Sequence, residues 1–190
     1  QHTPTRRQRQ MCIRDSGHTA AMDFSFHTTP NREKLMVLHF IDEASKYHTA
    51  QIIREGKVNN YSDLGNCDAQ DLIKAISEWA RYMQHPSCFH VDEEGCFHSE
   101  QFKDYCGLKA IEVKMAAGEA HWQNGIVERH IGTFRELLNK LLLEDSFEGA
   151  TNQTIVDSVC EAKNRNGTYN GTSPSPVSYT HLTLPTSRSV

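Results

Sequence analysis

The order of strand-like and helix-like segments predicts an α/β domain with a five-stranded mixed sheet flanked by helices. Three strand-like runs come first, and a helix, a strand, a short helix, another strand and two longer helices follow. Mixed order with short connections is typical of a layered α/β domain. The predicted strands are 19–26, 34–41, 45–54, 88–92 and 110–115.

Local patterns support the strands and the first helix. The almost wholly apolar run 34–41 predicts a strand buried on both faces, and a hairpin through 42–44 would pair it with the next strand. Asp68 is a suitable N-cap for a helix over 68–84. Four apolar residues at helical spacing predict the buried side of this helix: Leu72, Ile76, Trp79 and Met83. Tyr82 is also expected in the core.

The later helices are predicted from caps and breakers. Ser99 is a plausible cap for a short helix that reaches Tyr105 and is stopped by Gly107. Residues 116–125 are small and polar and predict a loop. A long helix to about Asp145 and a last helix over 152–163 follow.

The two ends of the chain are predicted not to belong to the domain. Codons for residues 6–15 can be chosen so that their reverse complement encodes residues 177–186, a relation that folding does not produce. Such ends resemble a translated sequencing adapter, and non-native segments are set aside before fold reasoning. We therefore assign residues 1–16 and 176–190 to adapter-derived, disordered ends and 17–175 to one domain.

Charge argues against strong autonomous binding to DNA. The chain has 20 Lys and Arg against 24 Asp and Glu, a net charge of −4. Without five basic residues and one acidic residue of the ends, 15 and 23 remain and the net charge becomes −8. A nucleic-acid-binding domain usually has a basic surface patch, so flanking basic domains would have to supply most of the affinity for DNA. The residues removed are Arg6, Arg7, Arg9, Arg14, Arg188 and Asp15.

Cysteine usage and hydropathy indicate an intracellular protein. Five of the six cysteines lie within 17–175, and no Cys-x-x-C pair or secretory signal is visible. These features predict reduced thiols. No apolar run approaches the roughly 20 residues of a membrane helix, so we expect no membrane partner.

Three acidic residues occupy settings that suit a catalytic site. Asp23 is in the alternating run 22–26, Asp92 ends the run 88–92, and Glu128 follows Asp92 with 35 residues between them. Mg²⁺ prefers oxygen ligands, and two such ions about 3.5–4 Å apart assist phosphoryl transfer. The three carboxylates are therefore candidate ligands of two divalent cations, although spacing alone is a weak signal among 23 acids.

The helix pattern predicts where Glu128 lies. Glu128 and Arg135 share a face beside the apolar stripe, so Glu128 would border the buried side and Arg135 could meet a phosphate. His121, Gln123 and Asn124 precede Glu128 and are candidate DNA contacts, with simple solvation of His121 as the alternative. The stripe consists of Val127, Ile131, Phe134, Leu138 and Leu141.

The motifs around these acids resemble a known family. Residues 124–129 read Asn-Gly-x-x-Glu-Arg, Asp92 precedes two acids and Gly95, and residues 171–174 read Gly-Thr-Ser-Pro. Together with Asp23, these motifs resemble the catalytic core of retroviral and long-terminal-repeat retrotransposon integrases, the D,D-35-E group. The resemblance extends over about 20–175.

The resemblance implies a ribonuclease H-like fold and a DNA-joining enzyme. Asp23, Asp92 and Glu128 would hold two Mg²⁺ or Mn²⁺ ions, and the reactions would be 3′-end processing and DNA strand transfer. The partners would be element-end DNA, target DNA and further copies of the chain. The setting would be a retrotransposon polyprotein that acts in the nucleus, with or without earlier passage in a cytoplasmic particle.

The chain departs from the family pattern after Asp92. Glu93 and Glu94 stand where family cores often have Asn before Gly95, which adds negative charge beside the predicted metals. The zinc-binding and C-terminal DNA-binding domains of the family are not in this sequence, so we expect a fragment that does not integrate DNA alone.

Two alternatives remain open. One is a transposase or nuclease with the same fold. The other is a catalytically silent or repurposed ribonuclease H-like module for nucleic-acid binding or dimerisation. Metal binding and DNA-end joining would discriminate between them.

Overall fold

The computed structural model describes residues 17–115, 121–143, 147, 149–167 and 174, with the side chains of 121–124 and 126 excepted. The predicted adapter-derived ends and most of the 171–174 motif lie outside these residues. In the described part of the chain, no helix combines the length and hydropathy needed to cross a bilayer.

In the part of the chain that the structure describes, five strands form one mixed sheet, as the sequence predicts. Their order across the sheet is β3-β2-β1-β4-β5, with β1 antiparallel to β2 and parallel to β4. The pair β2 and β3 is antiparallel, and β4 and β5 are parallel. The strands are β1 Thr19–Thr28, β2 Lys34–Asp42, β3 His48–Gly56, β4 Cys88–Val91 and β5 Glu112–Met115.

Strand β2 lies between β1 and β3 and is buried on both faces. All of its residues after Lys34 are buried, which confirms the prediction from its continuous apolar run. The hairpin to β3 is also confirmed, but β3 begins later than predicted because the turn is longer. Asp42 accepts hydrogen bonds from the Ser45 backbone N–H at 2.7 Å and from the Ser45 hydroxyl at 2.5 Å, which holds residues 43–47 out of the ladder.

Helices cover both faces of the sheet. The helices are α1 Ala69–Met83, α2 Glu100–Leu108, α3 His121–Leu141 and α4 Asn152–Asn166. Met22, Phe40 and Phe89 on one face pack against α1 and α2. Leu35 and Val37 on the other face pack against α3 and α4. The result is a three-layer α/β/α domain.

The predicted cap and stripe of α1 are confirmed, with one exception. Asp68 accepts a hydrogen bond from the Asp71 N–H at 2.9 Å and caps the helix. Trp79 is only 2% exposed, as predicted. Tyr82 is 58% exposed, so the prediction that Tyr82 lies in the core was wrong. The stripe is complete with Trp79 and Met83, and Tyr82 lies beside it, facing solvent.

Two other predicted boundaries were wrong. Helix α2 passes through Gly107 and ends at Leu108, since the backbone bond from the Lys109 N–H to the Tyr105 carbonyl closes a last turn beyond the predicted stop. Ala110, two residues later, has φ 55°. Helix α3 begins at His121, inside the predicted loop 116–125. Helix formation propagates cheaply from an established segment, which lets α3 include Asn124 and Gly125 despite their low propensity.

Side chains of α4 cover the outer edge of the sheet. Asn164 accepts from the His48 N–H at 2.9 Å and donates to the His48 carbonyl at 2.8 Å. Gln153 accepts from the Ile52 N–H at 2.8 Å and donates to the Ala50 carbonyl at 3.1 Å. These amides take the place of a neighbouring strand and blunt an edge that could otherwise pair with another chain.

A chain of buried polar side chains joins the sheet to α3. Ser25 hydrogen-bonds to His27 and to His39, each at 2.6 Å, and His39 bonds to His48 at 2.9 Å. Phe134 of α3 packs against all three imidazoles. We refer to Ser25, His27, His39 and His48 as the histidine chain. The sequence does not indicate this cluster, because the histidines come close together only when the strands pair.

Further along the same layer, His130 of α3 contacts the amino group of Lys163 of α4. Burial lowers the pKa of Lys163 to about 8. The two helices are therefore joined through a buried basic pair in addition to their apolar contacts. Such groups lose much of their hydration on folding, so the layer favours their uncharged forms.

We predict that the histidine chain makes stability fall in mild acid. Burial, with Arg135 nearby, lowers the pKa of His27 to about 4, and burial lowers the pKa values of His39 and His48 well below 6.5. Below pH 6.5 the unfolded chain gains protons that the folded chain does not. Urea unfolding at pH 7.5 and 5.5 should therefore show a loss of about 1 kcal/mol per such histidine.

The variant His27→Asn should lose less stability over this pH interval than the parent chain. His18→Asn, at an exposed position, is the matched control for the removal of one imidazole. The raised pKa of Asp23 changes stability in the opposite direction over this pH interval. It is a single group, whereas several buried histidines contribute. Equal pH dependence in parent and His27→Asn would contradict a neutral buried His27.

Candidate active site

Parallel pairing of β1 and β4 brings two of the predicted acids side by side. Met22 and Val91 are the last paired residues of the two strands. Asp23 and Asp92 each follow directly, so both leave the same end of the paired segment. Neighbouring strands lie about 4.8 Å apart, which places these backbones within reach of a shared ion.

Asp23, one of the predicted catalytic acids, is half-buried. Its pKa rises to about 6, first because burial disfavours the charged carboxylate. The Phe24 N–H donates to its Oδ1 at 2.7 Å and acts in the opposite direction. The negative charges of Asp92, Glu94 and Glu128 raise the pKa further. All three acids are therefore close enough for their charges to act on one carboxyl group.

Helix α3 brings Glu128 to this place by packing on the sheet. Val127 and Ile131 form a small buried cluster with Ala21 and Ile41. Ala21 lies two residues before Asp23 on the same face of β1, and Glu128 follows Val127 directly. The predicted core stripe is confirmed, and Glu128 is exposed at its border.

Glu94 is a fourth acid at the site. It precedes a 3₁₀ turn, Gly95–His98, and its charge contributes to the raised pKa of Asp23. The sequence indicated only that Glu93 and Glu94 add negative charge. The extra acidic residues after Asp92 were the available signal, but nothing in the spacing showed which of the two would face Asp23.

The donor set fits a hard divalent cation. The converging groups are carboxylates, and their mutual repulsion is a charge that Mg²⁺ or Mn²⁺ would neutralise. Within the described residues, no three His, Cys, Asp or Glu side chains already stand in a coordinating arrangement. Asp92 and Glu128 are exposed, so core packing does not fix their side chains in one orientation.

The predicted DNA contacts are placed only in part. Arg135 is exposed, and its positive charge lowers the pKa values of His27 and His39, so it lies over the far end of β1. The side chains of His121, Gln123 and Asn124 lie outside the described part of the chain. Their roles stay predictions.

His90, close to Asp92 in the chain, is paired with Glu43. It lies on β4, two residues before Asp92, and its Nδ1 contacts Glu43 Oε1 at 2.5 Å. Glu43 belongs to the turn between β2 and β3. This contact gives His90 a structural role, because it joins β4 to the turn.

Solved structures with the same fold include retroviral integrase cores. The HTLV-2 integrase catalytic core domain in complex with magnesium matches in its dimeric form with a TM-score of 0.67, 17% identity, 86% of this chain and 97% of that chain. Its trimeric form matches with a TM-score of 0.67 and 18% identity, over 85% of this chain and 95% of that chain. A simian T-cell lymphotropic virus intasome in complex with PP2A regulatory subunit B56 gamma matches with a TM-score of 0.70 and 16% identity, over 89% of this chain and 56% of that chain.

These similarities define the fold class, which is the ribonuclease H-like fold of integrase catalytic cores. At 16–18% identity they establish the architecture and not the activity. No protein-family model and no curated protein matches the sequence.

We predict that Asp23→Asn stabilises the protein. The pKa of Asp23 lies above its ordinary value of 3.8, so its charged form destabilises the fold at neutral pH, and this effect disappears as pH falls below 3.8. Asparagine has no charge to desolvate and can still accept from the Phe24 N–H. Urea unfolding at pH 7.5 should show a gain of about 1–3 kcal/mol, shrinking toward pH 4.

The exposed Asp104 of α2 provides the control for this substitution. Asp104→Asn removes the same charge far from the acidic group and should change stability by less than about 0.5 kcal/mol. A loss of stability in Asp23→Asn at pH 7.5 would show that the carboxylate is held by favourable contacts rather than strained.

Proposed function

We propose that this chain is the integrase catalytic core of a retrotransposon polyprotein, a metal-dependent polynucleotidyl transferase. The observation that carries the proposal is the raised pKa of Asp23, to which Asp92 and Glu128 both contribute. Three acids that are distant in sequence act on one point, at the end of a parallel strand pair. The fold shared with magnesium-bound integrase cores supports the same function.

The proposed ligands are Asp23, Asp92 and Glu128, which would hold two Mg²⁺ or Mn²⁺ ions. When bound, the ions would supply an activated nucleophile and stabilise the leaving oxygen in 3′-end processing and strand transfer. Asp23, half-buried on its strand, would be the ligand with the least freedom to move. Asp92 and Glu128 are exposed, so their side chains could adjust to a substrate.

The proposed DNA contacts are Arg135, His121, Gln123 and Asn124. Arg135 is exposed on α3, the helix that carries Glu128, and its guanidinium suits a phosphate. The acidic charge of the domain makes other basic segments necessary for tight binding, and the intasome fold neighbour supports assembly on DNA. We place the activity in the nucleus and treat residues 1–16 and 176–190 as additions to the domain.

We predict that Asp92→Asn abolishes metal-dependent cleavage and leaves the fold intact. Loss of a ligand should lower nicking or disintegration of branched DNA at least about 100-fold in Mn²⁺ or Mg²⁺. Circular dichroism and the melting temperature should remain close to those of the parent chain, since Asp92 is exposed. The assay should use a pre-branched substrate, because a core without basic flanking segments binds DNA weakly.

Glu93→Gln is the matched control, since it removes the same charge one residue away. It should retain activity within a few fold. Equal activity in Asp92→Asn and the parent chain would exclude the triad. A folded parent chain that binds no Mn²⁺ in calorimetry and cleaves nothing would favour the catalytically silent module.

We also propose that the chain associates with further copies of itself, as the dimeric and trimeric forms of the HTLV-2 core support. A groove of about 500 Å³ runs between α1, β3 and α4. It is lined by Trp79, Tyr82 and Gln153 among others, and Tyr82 is 58% exposed. The lining mixes apolar side chains such as Trp79 with charged ones such as Glu78 and Asp157. Tyr82 belongs to a residue type that is enriched at protein interfaces.

We predict that Tyr82→Glu weakens self-association. A charge in the groove would be desolvated by a second copy, so light scattering should report a smaller mass than for the parent chain at the same concentration. Leu108 is 83% exposed on α2, and Leu108→Glu is the matched control. A parent chain that is monomeric at high concentration, or equal association in all three proteins, would contradict the assignment of this groove.

A further inference from the structure

An aromatic pair with a lysine beside it is exposed at the end of β1 that lies beyond Asp23. Phe26 of β1 is 39% exposed, whereas the other phenylalanines that the structure describes are buried or half-buried. Its ring packs against that of Tyr61, with the ring centroids 5.3 Å apart. The ammonium group of Lys34 lies over the Tyr61 ring, 4.4 Å from its centroid. We refer to Phe26, Lys34 and Tyr61 as the aromatic patch.

Tyr61 is held in place from two directions. Its hydroxyl shares a hydrogen bond of 2.7 Å with the hydroxyl of Thr28 on β1. Tyr61 begins a 3₁₀ turn that Leu64 ends, and Leu64 lies close to the backbone of Gly56 on β3. The turn is therefore seated on the sheet, and it supports the ring of Phe26 while part of that ring stays exposed.

The charged groups at this end of the sheet are divided between its two faces. Glu33 and Glu55 accept hydrogen bonds from the Asn152 side chain, at 3.1 and 2.9 Å, on the face that α4 covers. Leu35 packs on that face too, so Lys34 before it points to the other face. Among the described residues, Lys34 has no carboxylate partner within 4 Å. Its ammonium group is therefore available to an anion.

Two further basic residues flank the patch. Arg32 is exposed in the turn before β2, and Lys57 is exposed directly after Gly56, which pairs with Lys34. The acid of the 3₁₀ turn is Asp63, which accepts a hydrogen bond at 3.0 Å from the backbone N–H three residues before it. The patch thus has a local excess of positive charge in an acidic chain. Exposed rings beside cations bind single-stranded nucleic acid, because bases stack on the rings and phosphates meet the cations.

An open strand edge leads from the proposed catalytic acids to the patch. Phe26 is three residues beyond Asp23 on β1, a distance of about 10 Å at 3.3 Å per residue. The two side chains point to opposite faces, but β4 pairs with β1 only as far as Met22. Among the described strands, none covers that edge of β1 beyond Met22. A strand of DNA that passes along this edge would cover the distance with about three nucleotides at a 3.4 Å spacing.

We propose that the aromatic patch binds an unpaired strand of DNA beside the catalytic acids. One base stacks on the exposed ring of Phe26, and a neighbouring phosphate binds the ammonium group of Lys34. Tyr61 is a positioning residue that supports both. Binding to the patch needs no metal ion, and only the position of the strand relative to the acids rests on the proposed function.

Fluorescence anisotropy with a labelled single-stranded oligothymidine, at low salt and without divalent metal, tests binding to the full chain. Phe26→Ala should raise the Kd at least about 10-fold, because a stacked base loses its support. Phe26→Trp should bind at least as tightly as the parent chain. Phe26→Leu keeps an apolar side chain without a ring and should bind as weakly as Phe26→Ala. A parent chain that does not bind the oligothymidine, or an unchanged Kd in Phe26→Ala or Phe26→Leu, would overturn the proposal.

The salt dependence of the same binding tests the phosphate contact. Lys34→Gln should reduce the slope of log K against log salt by about 0.7, the value for one phosphate of a single strand. Phe26→Ala should leave the slope unchanged. Lys103→Gln, at an exposed position on α2, is the matched control and should also keep the slope of the parent chain. An equal slope in Lys34→Gln and the parent chain would refute the contact with Lys34.

Tryptophan fluorescence reports stacking directly and does not depend on the stability of Phe26→Ala. In Phe26→Trp, the oligothymidine should quench the emission more than it does in the parent chain, because a base covers the new indole ring. Heparin, a polyanion without bases, should not produce this additional quenching. Equal additional quenching by heparin and by the oligothymidine would show a general polyanion surface and overturn base stacking.

Cleavage is measured separately on a branched DNA with an unpaired strand. Phe26→Ala should raise the DNA concentration that gives half-maximal nicking several-fold and leave the rate at saturation unchanged, since the patch binds the strand away from the reacting phosphate. An unchanged half-maximal concentration would overturn the placement of the strand beside the acids. A parent chain without any nicking would refute the proposed function, and the anisotropy and quenching results would still decide whether the patch binds DNA.

Discussion

The parallel pairing of β1 with β4 is the constraint on which the site depends. The pair ends at Met22 and Val91, and this register sends Asp23 and Asp92 out at one end of the sheet. A shift by one residue would turn Asp23 to the opposite face, toward α1, because side chains alternate along a strand. Burial of Met22 and Ala21 on opposite faces fixes the register, so the core specifies the geometry of the acids.

Packing of α3 supplies the third acid at an electrostatic cost that the fold must tolerate. Val127 and Ile131 anchor the helix above Ala21, and Phe134 packs on the histidine chain further along. The anchors draw Glu128 toward a half-buried carboxylate of the same sign. Apolar burial thus opposes charge repulsion within one helix, and a divalent cation would remove the repulsion without disturbing the packing.

Much of the fold could be predicted from the sequence because its signals are local. The apolar run of β2, the Asp68 cap and the stripe of α3 each depend on neighbours a few residues away. The start of α3 and the passage of α2 through Gly107 could not be predicted, since propensity at a helix end is overridden by the rest of the helix. Tyr82 was misplaced because an aromatic beside a stripe has the same pattern whether it packs or faces solvent.

The histidine chain shows a different limit. Ser25, His39 and His48 come from three strands. No periodicity joins such residues, and only the pairing of the strands brings them together. The three acids could be singled out from the sequence because they lie in motifs that resemble a known family.

Acidity of the domain and chemistry of the site are linked through the same residues. Asp23, Asp92, Glu94 and Glu128 gather negative charge where a phosphate backbone would have to approach. Without cations this place would repel DNA, and bound cations would attract the scissile phosphate. In the proposed function, metal binding would therefore control substrate entry as well as reactivity.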